Sequence, residues 1–284
     1  MKKTLLALAV VTSAVVSGSA MAAGDWQDST PAGDINFGGT VTVSNPVVWQ
    51  WKVGVGKTDF TNNISQMNGQ QDLTIIADKD MPIVAARLKN VVAGADFEQS
   101  GTFPKVSFTS NGQDIVPVYD TSGNSSMVLQ VLDSQNKTNV LGTLTLNVRS
   151  AGAIAFVDVN NNYHTNAVWG QKGSILEGAV SSDVGQIISD GVGSAEVSSK
   201  FGAPTLDEIE QQVNAFLQTP GATFVNDNHP WSVRRGTSDT KAKAYAYSYG
   251  MGIESGKQLQ LHFNNPVDQT TQWTAPLTVN IAYQ

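Results

Sequence analysis

The chain has 284 residues, of which 14% are charged, and its net charge is −7 at neutral pH. Because an acidic chain lacks the basic surface that attracts nucleic acids and anionic membranes, the composition argues against partners of either kind. The sequence contains no cysteine, which excludes disulfide bonds, thiol catalysis and thiolate metal sites.

Residues 1–22 have the pattern of a secretory signal peptide. Lys2 and Lys3 precede an apolar run, and Ala20-Met-Ala22 supplies the small residues of a cleavage site, with cleavage after Ala23 as the alternative. Removal takes away two lysines and no acid, so the net charge of the mature chain is −9. No later stretch of the sequence has the length and apolarity of a membrane span. We therefore expect an exported protein.

Residues 33–43 begin the mature chain with a strand pattern. The large apolar residues Ile35, Phe37, Val41 and Val43 occupy odd positions, and Gly39 fills the odd position between them. This period of two predicts a strand with one buried face. A strand so close to a free end either pairs within its own domain or is given to another molecule, and the residues alone leave both alternatives open.

Short alternating segments then recur through most of the chain, separated by Gly, Asn, Asp and Ser. They predict strands at the spacing typical of a β-sandwich. The predicted strands cover residues 47–53, 73–77, 83–88, 106–108, 115–119, 127–132, 141–148, 154–159, 245–253, 259–263 and 273–283.

The alternation is weak between residues 160 and 235. Residues 205–218 show apolar residues at helical spacing, and Thr205 and Glu208 form a capping-box pattern, which together predict an amphipathic helix. A second, shorter helix is predicted over residues 183–189. A partly helical insertion of this length is longer than an ordinary connection, and such insertions on a rigid sheet often carry binding sites.

Motifs for catalysis are weak in this sequence. Residues 54–58 resemble the end of a phosphate-binding loop, but Trp51 stands where that loop needs glycine. Asp158, Asn160 and Asn162 have calcium-loop spacing without the glycine and the final acid, so we interpret them as an Asn-rich turn. The acids are dispersed, and no carboxylate pair for a secreted glycan hydrolase stands out. We predict no enzymatic activity, no cofactor and no metal site.

Aromatic residues in the insertion are the best candidates for ligand contact. The tyrosines within residues 245–249 alternate along a strand, which favours a packed sheet face over sugar stacking. Trp169 and Trp231 instead lie in the irregular insertion, where polar and acidic neighbours suit carbohydrate hydroxyls. The candidate glycan contacts are Trp169, Glu177, Asp183 and Trp231.

Five segments carry a resemblance to a known family. They are MKKTLLALAV at residues 1–10, GDINFGGTVT at 33–42, WQWKVGVG at 49–56, YGMGIESG at 249–256 and QWTAPLTVNIAY at 272–283. With them the chain resembles the FaeG-type major fimbrial subunits of enterotoxigenic Escherichia coli, which the chaperone–usher pathway assembles. The order of parts fits over the whole length, whereas the insertion matches in kind and not residue by residue.

The resemblance implies a mainly β fold, an incomplete immunoglobulin-like β-sandwich that lacks its last strand and carries the partly helical insertion. It implies a signal peptide at 1–22, a donor-strand extension at 23–43 and a pilin domain at 44–284 with the insertion at about 160–235. A periplasmic chaperone fills the gap first, and the extension of the next subunit replaces it in the fibre. The donor residues are Ile35, Phe37, Gly39, Val41 and Val43. The groove and chaperone-binding strand carries Leu277, Val279, Ile281 and Tyr283.

The resemblance also implies the function that we expect. The protein would be exported through the periplasm and an outer-membrane usher, and would polymerise with identical subunits as the major structural subunit of a surface fimbria. It would also bind host glycoconjugates as an adhesin. The alternative is a purely structural subunit, with adhesion carried by another protein.

Overall fold

The protein is described by a computed structural model that covers residues 49–57, 59–93, 102–234 and 242–284, together with the backbone of residues 32–35. Within these residues the strands are β1 (Ala32–Ile35), β2 (Trp49–Val53), β3 (Asp72–Ile76), β4 (Met81–Leu88), β5 (Pro104–Ser110), β6 (Gln113–Ile115), β7 (Val118–Tyr119), β8 (Asn124–Asp133), β9 (Val140–Val157), β10 (Tyr163–Ala167), β11 (Val225–Asn226), β12 (Ala244–Ile253), β13 (Gln258–Phe263), β14 (Trp273–Thr274) and β15 (Leu277–Tyr283). The helices are a short 3-10 helix (Ile64–Gln66), α1 (Gly191–Lys200) and α2 (Leu206–Phe216).

The strands form two sheets. The smaller sheet has the order β1-β15-β5-β6. The larger sheet is organised around β9, which pairs antiparallel with β8, β10, β12 and β13 along its length. The sheet continues from β12 through β4 to β2. The predicted mainly β fold is confirmed.

The hydrophobic core lies between the two sheets. Alternating strand residues supply it: β12 contributes Tyr245, Tyr247 and Tyr249, all at most 1% exposed, and β2 contributes Trp49 and Trp51. The smaller sheet adds apolar residues of β5 and β15 to the same cluster. The tyrosines therefore form a packed sheet face, as the alternation predicts, and the core joins both sheets into a β-sandwich.

The two helices cover the opposite face of the larger sheet. Ile209 and Val213 of α2 pack against the small residues that alternate with the core residues on β9 and β12. Helix α1 lies so close to β12 that a Cβ at Gly250 would overlap the Ser198 carbonyl oxygen. The Ser198 and Ser248 hydroxyls are 2.8 Å apart in this contact. Small residues thus allow the close approach of helix and sheet.

One predicted helix is confirmed and the other is wrong. Helix α2 begins after Thr205, whose side chain accepts a hydrogen bond from the Glu208 N–H, while the Glu208 carboxylate accepts one from the Thr205 N–H. Residues 183–189 form turns instead of a helix, with the Asp183 side chain accepting from the Gly185 N–H. The unpredicted helix α1 follows them, capped by Asp190.

Several predicted strand boundaries differ from the structure. The segment 115–119 is divided between β6, which ends at Ile115 in the smaller sheet, and β7, which begins at Val118 in the larger one. The segments 141–148 and 154–159 belong to the single long strand β9, which continues through Gly152. Conversely, the segment 273–283 is two strands, because the chain changes sheets at Ala275 and Pro276. Strand β14 pairs with β8 in the larger sheet, whereas β15 pairs with β5 in the smaller one.

Candidate functional site

The edge of the smaller sheet is the first candidate site. Strand β1 lies antiparallel to β15, with Ala32 opposite Asn280 and Ile35 opposite Leu277. The other side of β15 pairs with β5. The edge of β15 therefore accepts a strand from the N-terminal part of the chain. The remaining predicted donor positions, Phe37, Gly39, Val41 and Val43, lie outside the described residues.

Strand β15 supplies one wall of the core beside this edge. Leu277, Val279 and Ile281 are at most 7% exposed and belong to the main core cluster. The Tyr283 hydroxyl accepts a hydrogen bond from the Trp51 Nε1–H at 3.0 Å, and burial raises the pKa of Tyr283 to about 12. The four residues predicted for the groove strand thus lie on β15, directly beside the edge strand β1, and three of them are buried.

Glu177 of the insertion contacts the C-terminal end of β15. Its carboxylate accepts hydrogen bonds from the Gly173 N–H at 2.6 Å and from the Gln284 side-chain amide at 3.2 Å, and it pairs with the Lys105 ammonium at 2.8 Å. Burial opposes ionisation, but these donors together hold the pKa of Glu177 below its usual value. The contacts give Glu177 a structural role that joins the insertion to β5 and β15.

Trp169 and Trp231 lie side by side in the insertion. The Trp169 N–H donates to the Trp231 carbonyl at 3.1 Å, and the Trp231 N–H donates to the Ala167 carbonyl. The Trp231 ring packs on Phe156 with the ring centroids 4.7 Å apart. Both indoles are half-buried, and the Trp231 Nε1–H has no hydrogen-bond partner among the described residues. Both residues are thus partly exposed, whereas the Trp231 Nε1 atom itself is buried.

Asp183 is not part of that pair. It lies in an exposed turn in which Gln186 contacts β7, since the Gln186 amide donates to the Tyr119 carbonyl at 3.3 Å. The structure therefore gives the four candidate glycan contacts three different settings. Trp169 and Trp231 are joined through their backbones, Glu177 contacts Lys105 of β5 and Gln284 after β15, and Asp183 lies in an exposed turn.

A charged centre that sequence analysis missed lies beside a cavity of about 710 Å³. Glu254 accepts from Arg149 at 3.2 Å and from Lys200 at 2.6 Å, and the Arg149 Nε–H donates to the Ser122 carbonyl at 3.0 Å. Burial opposes ionisation of Glu254, but the two cations lower its pKa. Lys200 ends α1, so the centre fixes this helix to β9 and β12. No pattern in the sequence connects these three distant residues.

Two further observations concern membrane-spanning helices and metal ions. None of the described helices is long and apolar enough to cross a membrane. The described residues also contain no group of three His, Asp or Glu side chains suited to holding a metal ion. Asp158 instead caps a turn, accepting from the Asn160 and Asn162 N–H groups at 2.8 Å each.

The fold and the site define a class of protein: a β-sandwich whose smaller sheet includes an N-terminal strand paired with its C-terminal strand. Comparison with known protein families identifies the family to which the chain belongs. The family described as "Fimbrial, major and minor subunit" matches residues 1–284, and the chain belongs to this family.

Individual relatives agree with this assignment over their full lengths. The F41 fimbrial protein of Escherichia coli is 30% identical over 289 residues, covering 100% of both chains. The K88 fimbrial proteins AB and AD of Escherichia coli are each 29% identical over 294 residues, again covering 100% of both chains. The protein is accordingly a structural fimbrial subunit, and the fimbriae of its relatives are surface appendages.

Proposed function

We propose that this subunit polymerises by giving residues 23–43 to the β15 edge of the next copy, as a donor strand. The observation that carries the proposal is the antiparallel pairing of β1 with β15. An unpaired β15 edge would expose a row of backbone hydrogen-bonding groups beside a hydrophobic core. A donated strand supplies both the missing hydrogen bonds and the missing side chains.

The β1–β15 pairing can form within one chain or between two chains. Ile35 lies at the Leu277 end of β15, whereas Trp49 begins β2 near the Tyr283 end, roughly 20 Å away along the strand. Thirteen residues separate Ile35 from Trp49, and they span at most about 45 Å. This length permits return to the same chain and also exchange with a neighbour, which is the geometry of a strand swap.

Burial of apolar donor side chains stabilises a donated strand. Ile35, Phe37, Val41 and Val43 each contribute about 1.5–3 kcal/mol where the neighbour buries them. The contact then persists because a paired strand dissociates slowly.

Deletion of residues 23–43 tests the proposal. The exported chain without them should bind its chaperone but form no fibres, and a synthetic peptide of residues 23–43 should convert it into a stable monomer. A matched control carries a scrambled segment of the same composition. Fibres formed by the deleted chain would overturn the donor assignment.

We infer that a periplasmic chaperone holds the β15 edge before assembly and that an outer-membrane usher receives the complex. Three buried side chains of β15, Leu277, Val279 and Ile281, would meet water if the edge lost its partner strand, and exposed apolar edges aggregate. The inference includes export by a signal peptide at residues 1–22. Periplasmic extracts test it: a complex of the deleted chain with a second protein should appear, and free deleted chain would contradict it.

We further propose that the insertion binds host glycans, with Trp169 and Trp231 as its aromatic contacts. Their partial exposure supports this proposal, because an indole face stacks on the CH face of a sugar. A glycan array probed with a monomer that carries its own fused donor strand is the test. Selective binding that Trp169→Ala removes would support an adhesin, and uniform background signal would favour the purely structural subunit.

A further inference from the structure

The direction of β1 indicates where a neighbouring subunit must lie. The C-terminal residue of β1, Ile35, is opposite Leu277, the first residue of β15. Any chain that continues past Ile35 in this direction therefore leaves β15 towards Ala275 and Trp273. If β1 belongs to a neighbour, the body of that neighbour begins beyond this end of the sandwich.

An aromatic cleft occupies this end. The rings of Phe60 and Trp273 are stacked, with centroids 6.1 Å apart and planes inclined by 7°, and the Lys57 ammonium lies 5.2 Å from the Phe60 centroid. Phe60 and Trp273 both line two hollows, one of about 370 Å³ and one of about 700 Å³. We call the pair and its two hollows the Phe60–Trp273 cleft.

The lining of the cleft has the character of a protein–protein contact. The buried core residues Leu73, Leu261 and Phe263 form part of the larger hollow. Its rim is made largely of uncharged polar side chains from residues 61–63 and 269–272, and Ile64 is 41% exposed beside it. An aromatic and aliphatic centre with a polar rim is the usual anatomy of a specific interface.

We propose that the Phe60–Trp273 cleft is the surface on which the body of a second copy of this chain packs in the fibre, in addition to the donated strand. The contact rests on the proposed donor exchange. Thirteen residues connect Ile35 of the donated strand to Trp49 of its own body, a span of at most about 45 Å. The start of β2 in the donating copy therefore lies within that distance of the end of β15 that carries the cleft.

The charges at these two ends are complementary. Asp268 lines the larger hollow, and Asp133 pairs with Trp273 through its backbone. The Lys57 ammonium at the cleft is paired with the Asp78 carboxylate at 3.2 Å. At the opposite end, Arg87 and Lys89 flank Leu88, which pairs with Trp49 at the start of β2. Packing one copy head to tail on the next brings the acidic end to the basic end, and repetition of this heterologous contact gives a filament instead of a closed ring.

Thiol cross-linking tests the contact because the chain has no cysteine of its own. Asp268 and Lys89 are both exposed. Fibres of the double variant Asp268→Cys/Lys89→Cys, treated with a flexible bis-maleimide, should give a ladder of covalent oligomers after denaturation. Each single variant should stay monomeric, because a head-to-tail contact never brings two identical ends together. The matched control Asp268→Cys/Lys257→Cys, with its second thiol on the turn between β12 and β13, should also stay monomeric.

Electron microscopy of the same samples separates this proposal from donor exchange. Normal fibres that give no ladder in the double variant would overturn the cleft contact and leave donor exchange intact. Ladders of equal extent in the single variants would also overturn it, because the contact would not be head to tail. Failure of donor exchange itself is detected independently, by fibres that persist after deletion of residues 23–43.

Discussion

The side-chain amide of Gln284 donates a hydrogen bond to the Glu177 carboxylate at 3.2 Å, across 107 positions of the sequence. The same carboxylate pairs with Lys105 of β5, and the Glu177 carbonyl accepts from the Val106 N–H at 2.8 Å. Glu177 therefore fixes the insertion to the two central strands of the smaller sheet. Because β1 pairs with β15, the strand pair β1–β15 is linked to the insertion through Glu177.

The first prediction concerns this carboxylate and pH. The pKa of Glu177 is lower in the folded protein than in the unfolded chain, so ionised Glu177 stabilises the fold above the unfolded value of about 4.3. That contribution is lost as the pH falls through the folded value. Glu177→Gln should lower the free energy of unfolding by about 1 kcal/mol near pH 7, and the difference should vanish in acid. Denaturant titrations across this range measure it.

Asp183→Asn is the matched control for that prediction. Asp183 belongs to the same insertion but lies in an exposed turn, where an asparagine oxygen can still accept from the Gly185 N–H. Its unfolding curve should follow that of the wild type at every pH. A Glu177→Gln variant whose deficit is unchanged at pH 3 would contradict the assigned role.

The settings of the four candidate glycan contacts show what the sequence could not reveal about the site. Glu177 has the chemistry of a sugar contact, but its partners Lys105 and Gln284 come from strands distant in sequence. Trp169 and Trp231 are also distant, yet both lie in the segment that lost strand alternation. A local pattern is thus enough to predict an insertion, whereas the contacts made by its residues depend on tertiary pairing that no local period encodes.

The second prediction concerns the close packing of α1 on β12. Gly250→Ala should destabilise the fold by about 1–3 kcal/mol, because the added Cβ overlaps the Ser198 carbonyl and the helix must move. Gly185→Ala is the control, since the nearest atom that a Cβ would meet there is the Asp183 side chain at 3.4 Å. Thermal unfolding of both variants measures the difference. Equal stability of the two would show that α1 is not held against the sheet at this point.

The helices also show where sequence patterns succeed and fail. Helix α2 was predictable because its buried residues Ile209 and Val213 are large and its capping box is local. Helix α1 was missed because it packs through Gly, Ser and Ala, including the buried Ser194 and Ser198, and presents no large apolar stripe. The strands of the core were predictable for the opposite reason: a period of two follows directly from having one buried face.

The third prediction is loss of stability in alkaline solution. Burial raises the pKa of Tyr119 and of Tyr283 to about 12. An acid whose pKa is higher in the folded state stabilises that state fully below the unfolded value of about 10, and this contribution is lost as the pH rises towards 12. Unfolding should therefore accompany tyrosine ionisation between about pH 10 and 12. Tyrosinate absorbance and circular dichroism should change together, and independent ionisation of a still-folded chain would contradict the assigned burial.

The fourth prediction tests the phase of the donor strand. In the β1–β15 register Ile35 lies opposite Leu277, which is buried, whereas Asp34 lies opposite Thr278, which is half-buried. Residues directly opposite in a sheet belong to the same face, so position 35 shares the core face with Leu277. Ile35→Asn should lose about 1.5–3 kcal/mol of burial and add a further ~1–3 kcal/mol for the unpaired amide.

A loss of that size weakens binding of the proposed donor strand at least about sixtyfold, since 1.4 kcal/mol is tenfold in an equilibrium constant. Fibres sheared from cells and quantified against total exported subunit should fall accordingly for Ile35→Asn. Asp34→Asn changes the neighbouring position with the same final side chain and should assemble normally. Equal assembly of the two variants would contradict the proposal that the odd-numbered side chains of residues 33–43 are buried in the neighbour. The even-numbered side chains would then be the candidates for burial.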